Sequence, residues 1–143
     1  MSYKGRFKPH HPEKYKGNPT NIIYRSSWEL RMMTWLDYHT SVEWWNSEEV
    51  VVRYLSPIDK MPHRYFPDYL VKLLNDNKIY MVEVKPKKET CPPKPSKNKR
   101  KLLKEALTYA KNSAKWDAAR AYCAERGWKF LIMTEDNIYG RKQ

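Results

Sequence analysis

Residues 79–85 read Ile-Tyr-Met-Val-Glu-Val-Lys, and this apolar run predicts a β-strand over Lys78–Lys85. Side chains alternate along a strand, so Glu83 and Lys85 lie on the same face, two residues apart. An acid and a base therefore stand side by side near the end of the strand. Taken alone, this pair also fits the salt-bridged solvent face of an edge strand, which contributes little to stability.

The segment before this strand predicts a partner for it. Arg64–Leu74 has the pattern of a strand that Pro67 interrupts with an edge, a bulge or a bend. Residues 75–77, Asn-Asp-Asn, are a strong turn signal, so the two strands should pair as a hairpin. Asp68 lies seven residues before the turn and Glu83 lies six after it, which makes the two carboxylates nearly opposite each other. The alternative is that Asp68, after a proline, is only a turn residue.

The elements around this hairpin predict an α/β fold. Apolar residues at helical spacing predict a helix over Ser26–His39 and a long helix over Lys99–Arg126, which Gly127 ends. Further strands are predicted, the last of them apolar enough to be central in a sheet: Val42–Trp45, Glu49–Leu55 and Trp128–Thr134. The order is that of an αβββαβ core with a mixed sheet, in which the strands on either side of the long helix are parallel.

The composition limits the classes of protein to which the chain can belong. The chain has 143 residues, of which 41% are hydrophobic and 14% aromatic, which is enough for a single domain over 1–143 with its own core. We expect no membrane partner and no secretory leader, because the apolar runs are short and the basic N-terminus lacks an apolar region. Two cysteines, Cys91 and Cys123, are too few for a disulfide framework or a cysteine-rich zinc module.

The net charge of +12 is concentrated in two segments. Residues 1–25 carry six Lys or Arg against one Glu, and residues 85–104 carry nine against one. Both lack apolar periodicity, so we predict a basic arm over 1–25 and a basic proline-rich loop over 86–98. Such concentrated charge favours a nucleic-acid partner, DNA or RNA, over a merely solvated basic surface. The predicted phosphate contacts are Lys4, Arg6, Lys8, Arg25, Lys87, Lys88, Lys97, Lys99 and Arg100.

Two carboxylates and an ammonium group at one place are the groups that phosphodiester hydrolysis requires. Carboxylate oxygens hold Mg²⁺, which shares its other coordination sites with water and substrate phosphate. The metal polarises the phosphoryl group and activates a bound water, and Lys85 orients that water or stabilises the developing charge. Mn²⁺ accepts the same ligands, so the choice of metal stays open. Glu29 is either a third acid or the glutamate of a capping box with Ser26.

Pro67-Asp68 followed by Glu83-Val84-Lys85 resembles the signature of the PD-(D/E)xK nuclease superfamily, and the predicted element order resembles its restriction-endonuclease-like core. Longer motifs are similar to the N-terminal endonuclease domain of TnsA transposases and, more closely, to the head-completion nucleases of T-even-type tailed phages. These motifs are residues 24–29 (YRSSWE), 63–68 (HRYFPD) and 82–87 (VEVKPK). Where TnsA has glutamine, this chain has Glu83, which follows the commoner superfamily pattern.

The resemblance implies a Mg²⁺-dependent DNA nuclease that acts in phage head completion and head–tail joining, in the cytoplasm of an infected bacterium. It assigns the site to Glu29, Asp68, Glu83 and Lys85, with the three acids as metal ligands. Head, portal or neck proteins are the partners that this role implies, and association with the virion stays open. Two rival hypotheses are a basic protein that holds DNA at the head vertex without cutting it, and a nuclease subunit of a transposase. Endonuclease or exonuclease action, substrate preference and oligomeric state also stay open.

Overall fold

The computed structural model describes residues 4–138. The first three and the last five residues of the predicted domain, among them the start of the predicted arm, lie outside the described residues. Single-turn 3₁₀ helices lie at Pro12–Lys14 and Lys87–Thr90. The helices and strands, in chain order, are β1 (Gly5–Phe7), β2 (Ile22–Tyr24), α1 (Ser27–Tyr38), β3 (Val42–Ser47), β4 (Val52–Leu55), β5 (Pro62–Tyr65), β6 (Tyr69–Leu73), β7 (Ile79–Val84), α2 (Lys99–Arg126), β8 (Lys129–Met133) and α3 (Glu135–Ile138).

A four-stranded mixed sheet in the order β3-β6-β7-β8 forms the centre of the fold. The β3–β6 and β6–β7 pairs are antiparallel, whereas β7 and β8, which α2 connects, are parallel. The predicted αβββαβ core with a mixed sheet is therefore confirmed. The other strands of the described residues form two separate two-stranded sheets, β1–β2 and β4–β5.

Two apolar cores cover the two faces of the central sheet. On one face, Leu36 of α1 packs with Trp45 and Val82. On the other face, Trp116 of α2 packs with Met81. The neighbours Met81 and Val82 thus point to opposite helices, as alternation along a strand requires. Burying a side chain such as Leu36, which is 0% exposed, stabilises the fold by about 1.5–3 kcal/mol.

Both long helices begin and end close to their predicted bounds. Ser26 caps α1 by accepting a hydrogen bond of 3.1 Å from the Glu29 N–H, and Asn98 caps α2 in the same way with the Lys101 N–H at 3.1 Å. Gly127 ends α2 in the left-handed conformation, with φ of 73°, which glycine adopts without a steric penalty. Among the described residues no helix is both long and apolar enough to cross a membrane.

The predicted strand Arg64–Leu74 is two strands that belong to different sheets. β5 pairs with β4 in a hairpin that packs on α2, whereas β6 lies in the central sheet. Pro67 is buried at the break between them. Proline has no N–H for a ladder and restricts the residue before it, so the chain changes sheets at this point. The predicted interruption at Pro67 is therefore a change of sheet and not a bulge within one strand.

β8 lies at an edge of the central sheet, so the prediction that Trp128–Thr134 is a central strand is wrong. Among residues 4–138, β8 pairs with β7 alone, and its Leu131 is 43% exposed. The parallel crossover through α2 sets β8 beside β7, and no later strand among the described residues pairs with its outer edge. An apolar run favours a buried strand, but it does not show where in the sheet the strand lies, and no residue of β8 is fully buried.

The basic arm is anchored on the domain. β1 and β2 pair antiparallel, and Phe7 and Ile22 are buried in the core on the α1 face. The buried Asp37 carboxylate of α1 accepts hydrogen bonds from the backbone N–H groups of His10 at 2.8 Å and His11 at 3.0 Å. The interpretation of this segment as a loop missed the two strands, because three residues carry too little periodicity to be recognised.

Candidate active site

The β6–β7 hairpin brings Asp68 and Glu83 together. Tyr69 pairs with Val82, so Asp68 and Glu83, the next residues outward, lie opposite each other at the open end of the hairpin. Asp68 Oδ2 also accepts a hydrogen bond of 2.7 Å from the Val84 N–H. Opposed residues of antiparallel strands point to the same face of the sheet. The structure thus contains the juxtaposition of carboxylates that the turn and strand patterns predict.

Glu83 is held from two sides. It is only 5% exposed, and its Oε1 accepts a hydrogen bond of 2.7 Å from the Tyr65 hydroxyl of β5. Its Oε2 lies 3.8 Å from Lys85 Nζ. The Lys85 side chain is 28% exposed, so its ammonium group reaches solvent while contacting Glu83. Glu83 is therefore fixed in position, and Lys85 stays accessible to a substrate.

The two carboxylates repel each other in a place that is largely withdrawn from water. Burial raises the pKa of Asp68 well above its usual range, and the facing Glu83 raises it further. The Val84 N–H and Lys85 offset only part of this effect on the pKa of Asp68. Burial and the adjacent Glu83 also raise the pKa of Tyr65, so its hydroxyl stays protonated and donates. The charged form of Asp68 is thus disfavoured by its surroundings.

Glu29 reaches the same site from the N-terminus of α1. A cleft of about 450 Å³ opens between this helix end and the hairpin. Burial raises the pKa of Glu29, and nearby Arg25 partly offsets that rise. The Ser26 hydroxyl lies 3.5 Å from Glu29 Oε2, so Glu29 both supports the helix cap and faces the cleft. The cleft is lined by Ser26, Ser27, Trp28, Glu29, Asp68, Val84, Lys85 and Pro86.

The donor set of the site fits a hard divalent cation. Asp68 and Glu83 present facing carboxylate oxygens, and a dication between them would offset both the burial and the mutual repulsion that raise the pKa of Asp68. Within residues 4–138, no three Asp, Glu, His or Cys side chains lie close enough together to hold one ion. The described residues therefore offer a pair of protein ligands, with Glu29 nearby in the cleft. One or two carboxylates completed by water and phosphate are the usual environment of Mg²⁺.

Arg25, one of the predicted phosphate contacts, is paired with an acid at the edge of the site. Its guanidinium group bonds the carboxylate of Glu48, and this hydrogen bond raises the pKa of Arg25. Glu48 has φ of 55°, and its backbone N–H donates to the Asp68 carbonyl at 3.2 Å. Glu48 thus adjoins both Arg25 and Asp68. The sequence patterns did not single out Glu48, because it lies in the irregular connection between β3 and β4.

Lys115 of α2 is a second residue near the site that the sequence patterns did not assign to it. The Lys115 side chain is half-buried, and its Nζ lies 5.6 Å from the ring centroid of Tyr65 and 5.9 Å from that of Tyr54. Desolvation lowers the pKa of Lys115, as do Lys111 and Lys85, whereas Glu83 and Asp68 raise it. Lys115 therefore faces the acid pair from the helix side of the site.

The other predicted phosphate contacts are spread over the surface. Lys87 forms an ion pair with Asp136 at 3.3 Å, which ties it to α3. Arg6 and Lys8 line a second cleft of about 390 Å³, between the arm and α1. The remaining predicted contacts are exposed: Lys4, Lys88, Lys97, Lys99 and Arg100. Exposure leaves these side chains accessible to a polyanion.

Comparisons with known proteins agree with this geometry. The family model for the TnsA-like endonuclease N terminal matches residues 39–135, which include the hairpin and α2. The head completion nuclease of Enterobacteria phage T4 is 38% identical over 143 residues, which cover 96% of this chain and 95% of the phage protein. The chain belongs to the head completion nuclease family. Its predicted identification as a nuclease of phage head completion is thereby confirmed at the level of the family.

Membership of this family also indicates which kind of metal ion its members use. Nucleases with this TnsA-like, PD-(D/E)xK-type fold act on DNA and generally use divalent metals. Asp68 and Glu83, the facing carboxylates, lie within the residues that the family model matches, as does Lys85. Glu29 lies before that range but within the similarity to the phage T4 protein.

Replacing Tyr65 with Phe tests whether Glu83 is positioned by its hydrogen bond. Tyr65→Phe leaves one Glu83 oxygen without its 2.7 Å partner, so we expect a loss of about 1–3 kcal/mol of folding stability. We also expect divalent-metal affinity, measured by calorimetric titration with Mg²⁺ or Mn²⁺, to fall about 10-fold, because the hydrogen-bond partner that orients the candidate ligand Glu83 is lost. Tyr54→Phe is the matched control, since Tyr54 is buried in the same hairpin without bonding Glu83. Equal metal affinity in the two variants would contradict the positioning role.

Proposed function

We propose that this protein is a Mg²⁺-dependent deoxyribonuclease whose site consists of Glu29, Asp68, Glu83 and Lys85. The observation that carries the proposal is the open end of the β6–β7 hairpin, where two carboxylates face each other and an ammonium group lies 3.8 Å from one of them. A salt-bridged solvent face, the alternative reading of Glu83 and Lys85, does not account for a glutamate that is 5% exposed. Mn²⁺ suits the same oxygen ligands and is expected to substitute.

Each residue has a distinct role in the proposed hydrolysis. Asp68 and Glu83 hold the metal ion, and Glu29 is the third acid at the cleft wall. The metal, when bound, polarises the phosphoryl oxygen and lowers the pKa of a water. Lys85 orients the attacking water or stabilises the charge that builds on the phosphoryl oxygens. The oxygen of water bonds to phosphorus as the water releases a proton to solvent, the P–O bond to the leaving oxygen breaks, and the leaving oxygen takes up a proton from solvent.

The biological setting we propose follows the name of the phage T4 relative, a head completion nuclease. The chain acts as a single domain over 1–143 on DNA during head completion and head–tail joining, in the cytoplasm of an infected bacterium. Head, portal or neck proteins are the proposed partners. The exposed cations of the arm and of the 86–98 loop contact DNA phosphates.

A plasmid assay tests the proposed function. The purified protein is incubated with supercoiled plasmid in Mg²⁺, in Mn²⁺ and in EDTA, and the products are separated on agarose. We expect nicking or linearisation in either metal and none in EDTA. Linear duplex with blocked and with free ends then separates endonuclease from exonuclease action. A gel shift without cleavage in any metal would instead support a protein that holds DNA without cutting it.

A further inference from the structure

The N-terminal half of α2 carries a line of cations on one side. By the geometry of 3.6 residues per turn, Arg100, Lys104, Lys111 and Lys115 project within about 60° of one another around the helix axis. The only acid between residues 99 and 115, Glu105, projects about 140° from Arg100, outside this sector. We call these four residues the basic stripe. Its charge is therefore of one sign along its whole length.

The basic stripe leads into the candidate active site. Fifteen residues separate its ends, which corresponds to about 22 Å along the helix. Its last member, Lys115, lies over the ring of Tyr65, the residue that hydrogen-bonds Glu83. Its first member, Arg100, lies at the exposed start of α2, just after the helix begins at Lys99. The stripe thus connects solvent with the acid pair.

The first three cations of the basic stripe are free to bind a ligand. Arg100, Lys104 and Lys111 are exposed, and within residues 4–138 their side chains have no ion-pair or hydrogen-bond partner. The buried side of α2 begins only at Asn112 and continues with Trp116. The helix therefore holds these cations in a fixed row without using them for its own packing.

We propose that the basic stripe binds successive phosphates of one DNA strand and guides that strand into the cleft. This inference rests on the proposed function. A row of cations about 22 Å long matches the phosphates of about six nucleotides at 3.4 Å of rise per strand residue. The basic stripe carries only positive charge and ends at the proposed phosphodiester-cleaving site. The polyanion that we expect it to bind is therefore DNA. The bound nucleotides lie on one side of the scissile bond, because the stripe extends from the acid pair in one direction only.

Salt-dependent binding tests the basic stripe. Affinity for a fluorescein-labelled duplex is measured in EDTA from 50 to 200 mM salt, using fluorescence anisotropy, for Lys104→Gln/Lys111→Gln and for the wild type. We expect the slope of log affinity against log salt to become shallower by about 2, since each lost phosphate contact removes about 0.9. The matched control is Lys78→Gln/Lys129→Gln, which removes the same charge from exposed positions at the far end of β7.

A series of DNA lengths locates the contacts. For the wild type we expect affinity to rise as the duplex is extended on one side of the cleavage position, up to about six nucleotides, and the Lys104→Gln/Lys111→Gln variant to lose that gain. Equal slopes for the stripe and control variants, or an unchanged length dependence, would overturn the proposal even if the protein cuts plasmid. Absence of DNA binding by the wild type would instead overturn the proposed function itself. The stripe variant and the control variant each change only exposed side chains, and circular dichroism checks that both proteins fold.

Discussion

We expect the replacement of Asp68 with Asn to lower the rate of DNA cleavage about 10³-fold and to leave the protein folded. In the wild type, the Val84 N–H donates a hydrogen bond of 2.7 Å to Asp68 Oδ2. Asn keeps the shape of the side chain and an oxygen that can accept this hydrogen bond. It removes the charge that we propose binds a divalent cation opposite Glu83. A metal contributes several kcal/mol to stabilising the transition state, and losing about 4 kcal/mol lowers kcat about 10³-fold. Single-turnover cleavage of a labelled duplex measures the effect.

For the same substitution we expect no loss of thermal stability in EDTA, in contrast to the loss of cleavage. In EDTA, burial and repulsion by Glu83 both disfavour the charged form of Asp68 and raise its pKa. Neutralising one partner removes this repulsion, so the melting temperature of Asp68→Asn in EDTA should be equal to or above that of the wild type. Mg²⁺ should raise the melting temperature of the wild type but not of the variant. Asp117→Asn, at an exposed position of α2, is the control and should match the wild type in every measurement. Cleavage at near wild-type rate by Asp68→Asn would exclude Asp68 as a metal ligand.

Replacing Lys85 with Met has the next largest expected effect. The Lys85 ammonium group contacts Glu83 and reaches the cleft, so the substitution removes the group that we propose orients water or stabilises phosphoryl charge. We expect kcat to fall about 10²–10³-fold, with a smaller change in KM, because the contact acts mainly in the transition state. Steady-state kinetics on a labelled duplex separates the two constants.

The control for Lys85→Met is Lys129→Met, which removes the same charge at the start of β8, the far end of the strand pair. DNA affinity in EDTA should fall by a similar, small amount in both variants, because each loses one positive charge. A variant that loses affinity but keeps its kcat would show that Lys85 only binds the DNA backbone. That outcome would remove Lys85 from the catalytic site.

The central hairpin could be predicted from the sequence because local rules determine it. Asp76 Oδ1 accepts from the Lys78 N–H at 3.0 Å and Asn77 adopts a positive φ of 55°, which are the turn conformations that Asn and Asp favour. Once the turn position is known, side-chain alternation places Asp68 opposite Glu83. Helix α2 was predictable for the same reason, since Asn98 and Gly127 are local start and stop signals.

The residues that surround the acid pair could not be predicted, because they reach it through contacts between distant segments. Tyr65 is 18 residues from Glu83 and meets it only because the chain changes sheets at Pro67. Lys115 reaches the site because the β4–β5 hairpin packs on α2. Neither contact leaves a periodic signal in the sequence. The basic run over residues 85–104 could be recognised in the sequence, but the row of cations from Arg100 to Lys115 and its direction towards the acids required the fold.

Anomalous diffraction from crystals soaked in Mn²⁺ tests the central claim most directly. The claim is that Asp68 and Glu83 together hold a divalent cation at the open end of the β6–β7 hairpin. We expect an anomalous difference peak between the two carboxylates, at about 2.0–2.2 Å from an oxygen of each, and no such peak in crystals of Asp68→Asn. A wild-type structure with Mn²⁺ bound elsewhere, and none between these carboxylates, would contradict the account.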